Sequence, residues 1–287
     1  MNNIKYNEIT FTDEQKIDII TSYLNGESSV KIGKRYGLSH KPILKILHKN
    51  GINVDQKKFV RKYTLNENYF DQINTPNKAY ILGFLYADGH NEISKFTISM
   101  SLQEEDKEIL EKIRKELCSN KPLEYIDYSN KHDYGYNYKN QFRLNVFSKH
   151  MCKSLENIGM KSNKSLSLVF PVIDSKLYSH FIRGYFDGDG SISQNIHNEN
   201  NRAVLLTITS TNSFCQKIKQ ICSEQLNLNS YIYDAACHNG ITKVFTISGR
   251  NVVKQFLDWL YKDADLYLER KYQRYLNYYN INNPILE

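Results

Sequence analysis

The chain is short of the residues that staple small proteins. Its five cysteines (118, 152, 215, 222 and 237) are scattered, with no CxxC pair. That excludes a disulfide framework and argues against a structural zinc site. An odd, dispersed set fits reduced thiols in a cytosol-like compartment, alongside the nucleoid. Cys215 and Cys222, seven apart in a helical pattern, read as buried structural thiols. No apolar run approaches 18 residues, so no membrane span is expected. The opening Met1-Asn2-Asn3-Ile4-Lys5-Tyr6-Asn7 lacks the apolar region of a secretory signal. Neither a three-carboxylate recombinase cluster nor a nucleophilic serine motif is evident, although 22 tyrosines keep a tyrosine nucleophile open.

Acidic residues are almost missing from one stretch. Residues 31 to 62 hold ten Lys/Arg against the single acid Asp55, a net +9 within a chain of +7, which leaves the remainder at −2. A basic block of this kind reads as a polyanion-facing surface, most often one for nucleic acid. What is present around it is helical. Thr12 or Asp13 is placed to cap a helix carrying Ile17, Ile19, Ile20, Tyr23 and Leu24, and Asn25-Gly26 stops it. Ser28-Ser29 caps a second helix, Val30 to Tyr36. Gly37-Leu38-Ser39 turns into a third, with Pro42 in its first turn and Ile43, Leu44, Ile46 and Leu47 as its buried stripe. The segment Lys31-Ile32-Gly33-Lys34-Arg35-Tyr36-Gly37-Leu38-Ser39 resembles a helix-turn-helix of the transposase and recombinase kind. Such a module implies a third helix in the major groove, with the second crossing the backbone. On that reading Arg35, Lys41, Lys45, His48 and Lys49 face DNA; the alternative is a small helical bundle that docks on protein. Ile52 to about Lys62 reads as a basic linker lying along DNA.

The rest of the chain contains a repeat. Residues 79–90 read Ala-Tyr-Ile-Leu-Gly-Phe-Leu-Tyr-Ala-Asp-Gly-His and residues 180–191 read His-Phe-Ile-Arg-Gly-Tyr-Phe-Asp-Gly-Asp-Gly-Ser. Aligned on Asp88-Gly89 and Asp189-Gly190, 101 positions apart, they share Gly83/Gly184, an aromatic at 84/185, a bulky apolar residue at 85/186 and a small residue at 87/188. Each is followed by alternating strand sequence (Phe96–Leu102; Val204–Ser210) and an amphipathic helix. Two further strands and a closing helix complete each copy. Both copies read αββαββα, so the fold class is α+β: two pseudo-symmetric halves (63–170 and 171–287) after an all-α module (1–62).

These residues resemble the LAGLIDADG homing endonucleases in their single-chain, two-motif form. The resemblance covers about residues 63 to 287 and implies a saddle over duplex DNA, cut once on each strand with Mg²⁺ or Mn²⁺. Small residues at i and i+4 (Gly83 with Ala87, Gly184 with Gly188) make a flat stripe where two helices approach closely, and they explain mid-helix glycines that otherwise cost about 0.5–1 kcal/mol each. Asp88 and Asp189 then fall at helix C-termini, where the macrodipole disfavours a carboxylate unless a cation is present. A carboxylate with free main-chain carbonyls is a hard oxygen set suited to Mg²⁺. The resemblance implies that Asp88 and Asp189 are the metal ligands, assisted by the carbonyls of Ala87 and Gly188. Copy one has Tyr86 where copy two has Asp187, which excludes Asp187 from the catalytic set.

Phosphodiester hydrolysis also calls for positive charge at the developing phosphorane. Asn163-Lys164-Ser165 and Arg270-Lys271-Tyr272 are similar to the family's basic segments and nominate Lys164 and Lys271. Alternation in the strands leaves Thr97, Ser99, Ser101, Gln141, Arg143 and Asn145 in copy one, and Thr207, Thr209 and Thr246 in copy two, on the face opposite the helices. Gln141 and Arg143 are the better base readers. The leading reading is a monomeric, free-standing endonuclease of a mobile element with an asymmetric target. No intein nucleophile or terminal His-Asn is evident. The alternative is a non-cleaving regulator or an intron maturase that binds its own intron RNA on the same scaffold.

Overall fold

The computed structural model describes residues 10–52, 54, 62–129, 132–133, 136–162, 166–198, 201–236 and 242–279. The chain divides into two compact units, Met1–Lys62 and Tyr63–Glu287. Lys164, Cys237 and most of the 52–62 segment lie outside the described residues.

The first unit holds helices α1 (Asp13–Leu24), α2 (Ser29–Arg35) and α3 (His40–Lys49). Thr12 caps α1 in a reciprocal box with Gln15, and Ser28 caps α2 through the Lys31 amide, each cap contributing about 1 kcal/mol. Gly37 takes φ +68° in the turn before α3, a conformation that costs glycine nothing. Ile19, Tyr23, Ile32, Ile43 and Leu47 form the core, with Ile20 and Ile46 packed at its edge. Ile17 and Leu24 do not join it. They are 64% and 68% exposed, because the small three-helix core has room for only one face of α1.

The second unit is built twice over. Its first half runs α4 (Pro76–Asp88), β1 (Gly89–Glu92), β2 (Thr97–Gln103), α5 (Lys107–Glu116), β3 (Glu124–Ile126), a small hairpin β4 (His132–Asp133) and β5 (Tyr136–Asn137), β6 (Gln141–Phe147) and α6 (Lys149–Ile158). Its second half runs α7 (Tyr178–Asp189), β7 (Gly190–Asn198), β8 (Asn201–Thr211), α8 (Asn212–Leu226), β9 (Tyr231–Asp234), β10 (Thr242–Ser248) and α9 (Arg250–Tyr261), followed by α10 (Glu269–Tyr279). The sheets are antiparallel with matching orders, β1-β2-β6-β3 and β7-β8-β10-β9. This is the predicted α+β architecture of two αββαββα halves. The hairpin in half one and α10 in half two are additions to the repeat.

Period-two burial turns one face of each sheet inward. In β2 the residues Ile98, Met100 and Leu102 are buried, as are Leu144 and Val146 in β6 and Phe245 and Ile247 in β10. Phe96 departs from the expected alternation. It precedes β2 in a left-handed turn (φ 52°) and is 38% exposed, so its ring leaves the core side. A single apolar core runs through both halves, from Tyr69 and Phe70 to Leu276, with α4 and α7 at its centre. No helix among the described residues is long and apolar enough to cross a membrane.

Candidate active site at the paired helix ends

α4 and α7 are buried around most of their circumference. Residues 79–86 and 180–187 are all buried, which is possible only because each helix is covered by the other and by both halves of the core. The seam depends on glycine. A methyl at Gly83 would overlap the Phe181 carbonyl and lie 2.9 Å from the Tyr185 nitrogen; one at Gly184 would overlap the Tyr80 carbonyl and lie 2.8 Å from the Phe84 nitrogen. The two sets of contacts exchange under the 101-residue shift, so the repeat in sequence is a two-fold in space. Further along, a methyl at Gly188 would overlap the Ala87 side chain, so the four predicted seam positions are brought together.

The seam delivers the carboxylates. Asp88 and Asp189 end their helices with exposed side chains, and Gly89 and Gly190 open the first strand of each sheet. Asp88 leans across the seam: its Oδ2 lies 3.0 Å from where a Cβ on Gly188 would be. The Tyr185 hydroxyl reaches Asp189 and Ser210, and burial with that carboxylate pushes the phenol well above its ordinary pKa. Copy one has Phe84 at this position and no such hydroxyl.

Lys271 joins the same cluster. Its buried ammonium donates to the Phe186 (2.5 Å), Gly190 (2.6 Å) and Gly188 (3.2 Å) carbonyls at the C-terminus of α7. Burial lowers its pKa to about 8 against the upward pull of Asp187, Asp88 and Asp189, so both motif carboxylates lie within its electrostatic reach. Three main-chain oxygens gathered around one cation mark this helix end as a place that receives positive charge, as the macrodipole dictates. Among the described residues no three His, Cys, Asp or Glu side chains converge. Asp88, Asp189 and the main-chain oxygens of Ala87 and Gly188, the last shared with Lys271, form a hard-oxygen set whose chemistry would suit Mg²⁺. For Lys164, only its approach is described: Ser162 donates to the Asn91 carbonyl (2.7 Å), and Asn91 donates to the Cys152 and Met160 carbonyls.

Asp187 lies one layer deeper, still within the electrostatic reach of Lys271. It is wholly buried and accepts from Tyr80 Oη (2.9 Å), Tyr261 Oη (3.3 Å) and the Leu268 amide (2.7 Å), while burial raises its pKa to about 6. Beside it Arg183, also wholly buried, donates to the Leu266 and Leu260 carbonyls and to His180 Nδ1 and stacks over the Tyr80 ring. The network ties the seam to the segment that starts α10, three residues before Lys271. Nothing in local sequence signals it, since its partners lie up to 107 positions apart.

The strand residues nominated for DNA lie where alternation puts them. Thr97, Ser99, Gln141, Arg143, Asn145 and Thr207 are half-buried on the outward faces and Thr209 is exposed, whereas Thr246 is only 7% exposed. In the first unit Lys41, Lys45, His48 and Lys49 are exposed on α3. Arg35 is exposed too, but its guanidinium is held by Asp18 (2.8 Å) and Glu27 (3.2 Å).

The fold and the site together define a two-half α+β protein whose glycine-packed helix pair carries one carboxylate to the first strand of each sheet. Residues 176–259 match the family model of the LAGLIDADG-like domain, and the first half repeats the element order of that segment. A comparison with curated protein sequences finds no match. Among solved structures the chain is similar to the meganuclease I-SmaMI bound to uncleaveable DNA, at 11% identity and TM-score 0.47, over 70% of this chain and 88% of that one. It is similar to the I-LtrWI homing endonuclease bound to target DNA, at 12% identity and TM-score 0.46, over 75% and 90%. It is also similar to the N-terminal LAGLIDADG domain of DUF199/WhiA, at 18% identity and TM-score 0.41, over 68% and 89%.

Proposed function

We propose that this protein is a divalent-metal-dependent endonuclease that hydrolyses both strands of a long, asymmetric DNA site. The observation that carries the reading is the survival of a carboxylate at both helix ends, across a seam that admits only glycine at Gly83 and Gly184. A scaffold that only bound DNA would have no use for two exposed acids beside a phosphate chain, where they repel it.

Asp88, Asp189 and the carbonyls of Ala87 and Gly188 would hold Mg²⁺ or Mn²⁺. When bound, such an ion supplies Lewis-acid polarisation of a phosphoryl oxygen and an acidified water. Lys271 brings a positive charge to the same helix end, fixed by three carbonyls before substrate arrives, and Lys164 serves the first half. A group placed in advance at developing negative charge loses no reorganisation energy in the transition state. The outward strand faces position the duplex, and the basic first unit, with Lys41, Lys45, His48 and Lys49 on α3, lengthens the footprint through phosphate contacts. Incubating a randomised duplex library with the full chain, with and without Mg²⁺, tests the reading. Discrete metal-dependent cuts on both strands are expected. Specific binding without cuts at any divalent metal would make the protein a regulator or maturase instead.

A further inference from the structure

The two sheets can be superimposed position by position, because each first strand begins at the glycine after a motif aspartate. Gly89 pairs with Met100 and Gly190 pairs with Ile208, so Met100 and Ile208 correspond. One residue further along, the row Ser101–Arg143–Glu124 across the first sheet becomes Thr209–Val244–Tyr233 across the second. The adjacent outward row, Ser99–Asn145, becomes Thr207–Thr246, with Tyr231 beside Thr246.

The hydroxyls of Ser99 and Ser101 are kept as Thr207 and Thr209, and the chemistry changes at the other positions. In the first sheet the outward side chains are charged or amide groups already set by their neighbours: Arg143 Nε donates to Ser101 Oγ (2.8 Å) and Asn145 Nδ2 to Glu124 Oε2 (2.7 Å). Held that way, Arg143 keeps both terminal guanidinium nitrogens for a base edge. In the second sheet neither row contains a charge or an amide. It offers the methyls of Thr209 and Val244 and two half-exposed tyrosine rings, Tyr231 (52%) and Tyr233 (56%), stacked with centroids 6.3 Å apart. Arginine matches the paired acceptors of guanine, whereas methyls and rings match the C5-methyl that thymine alone presents in the major groove.

A duplex placed with its backbone at Asp88 and Asp189 must cross both outward faces, because β1 and β7 start at the residues that follow those acids. Taking the DNA reading above as given, we infer that the two halves read their half-sites by different chemistry. Arg143 sets a guanine under the first sheet, and methyl and ring contacts from Thr209, Val244 and Tyr233 make the half-site under the second sheet thymine-dependent.

The test uses the full chain carrying Asp88→Asn and Asp189→Asn, so that duplexes selected from a random library survive intact. Repeating the selection with Arg143→Ala added, or Arg143→Lys if the alanine variant folds poorly, relaxes one half-site and so marks the one under the first sheet. Deoxyuridine, which lacks only the C5-methyl, then replaces thymine in one half-site at a time. Substitution under the second sheet is expected to weaken binding about tenfold or more, and under the first sheet less than about twofold. Equal effects in both half-sites, or none in the second, would overturn the inference and leave DNA recognition standing. Failure to select any sequence would overturn both.

Discussion

The two motif helices are alike where they touch and unlike one layer away. At the seam, Gly83 faces Phe181 and Tyr185 as Gly184 faces Tyr80 and Phe84. Behind it, copy one has Leu82 and Tyr86, and Tyr86 makes a single hydrogen bond to the Ile158 carbonyl (3.0 Å). Copy two has Arg183 and Asp187 at the same positions, and both are absorbed into a buried polar network with Tyr80, Tyr261, His180 and Leu268. The difference separates what the architecture requires of both halves from what one half has acquired. Both carry the glycine and the terminal aspartate; among the described residues only the second has an extra helix, α10, and its buried Asp187 anchors the segment that leads to it, while Asp106 of the first half holds Arg270 within it.

The sharpest way to break this comparison is to place a methyl on the seam. Gly83→Ala and Gly184→Ala each drive a Cβ into a main-chain carbonyl of the partner helix, which neither helix can relieve without giving up its burial. Each is expected to cost about 4 kcal/mol or more, and by symmetry about equally, as read from urea unfolding midpoints. A large loss at one and tolerance at the other would mean the seam is not two-fold. Next in size is the layer behind it. Asp187→Ala leaves two hydroxyls and one amide without their acceptor, removes the buried negative charge nearest Lys271 and Arg183, and is expected to cost about 3 kcal/mol. Tyr86→Phe at the matching position removes one hydrogen bond and is expected to cost about 1 kcal/mol in the same assay. Equal costs would deny the asymmetry.

A pH measurement sharpens the same contrast. His180 accepts from Arg183 at Nδ1 (2.9 Å), so protonation there would replace an acceptor with a second cation. Burial, then Arg183, depress its pKa to about 4, with Asp263 and Asp265 pulling the other way. The folded value lies below the unfolded one near 6.5, so the stabilisation is present above pH 6.5 and lost as pH falls towards 4. Asp187, raised to about 6, acts with the opposite sign over the same range, so the His180 contribution is read as a difference: relative to His180→Gln, the unaltered chain should lose roughly 2 kcal/mol of unfolding free energy across that window. Copy one has Ala79 at the corresponding position and contributes nothing to it.

Much of this is legible in the sequence. The glycine spacing, the terminal Asp-Gly pairs and the period-two strands are local patterns, and each reports on a face or a cap within a few residues. The caps at Thr12 and Ser28 were legible for the same reason. Pairings over long separations were not. The link from Tyr80 to Asp187 and the capture of three carbonyls by Lys271 depend on which elements meet, and the correspondence of Arg143 with Val244 depends on strand register across loops of different length. Phe96 was misread because alternation was extended one residue past the point where a left-handed turn begins the strand. Ile17 and Leu24 were misread because helical spacing does not reveal how little core a three-helix unit can offer.

Under the proposed function the paired helix ends hold two carboxylates at the scissile phosphates. The most direct test takes a duplex recovered by selection and compares the unaltered chain with the Asp88→Asn, Asp189→Asn variant in Mg²⁺, measuring cleavage and binding side by side. Cleavage of both strands is expected to disappear while affinity is unchanged or rises, since two negative charges leave the interface. Cleavage that persists in the variant would contradict that role and would move the chemistry away from the helix ends.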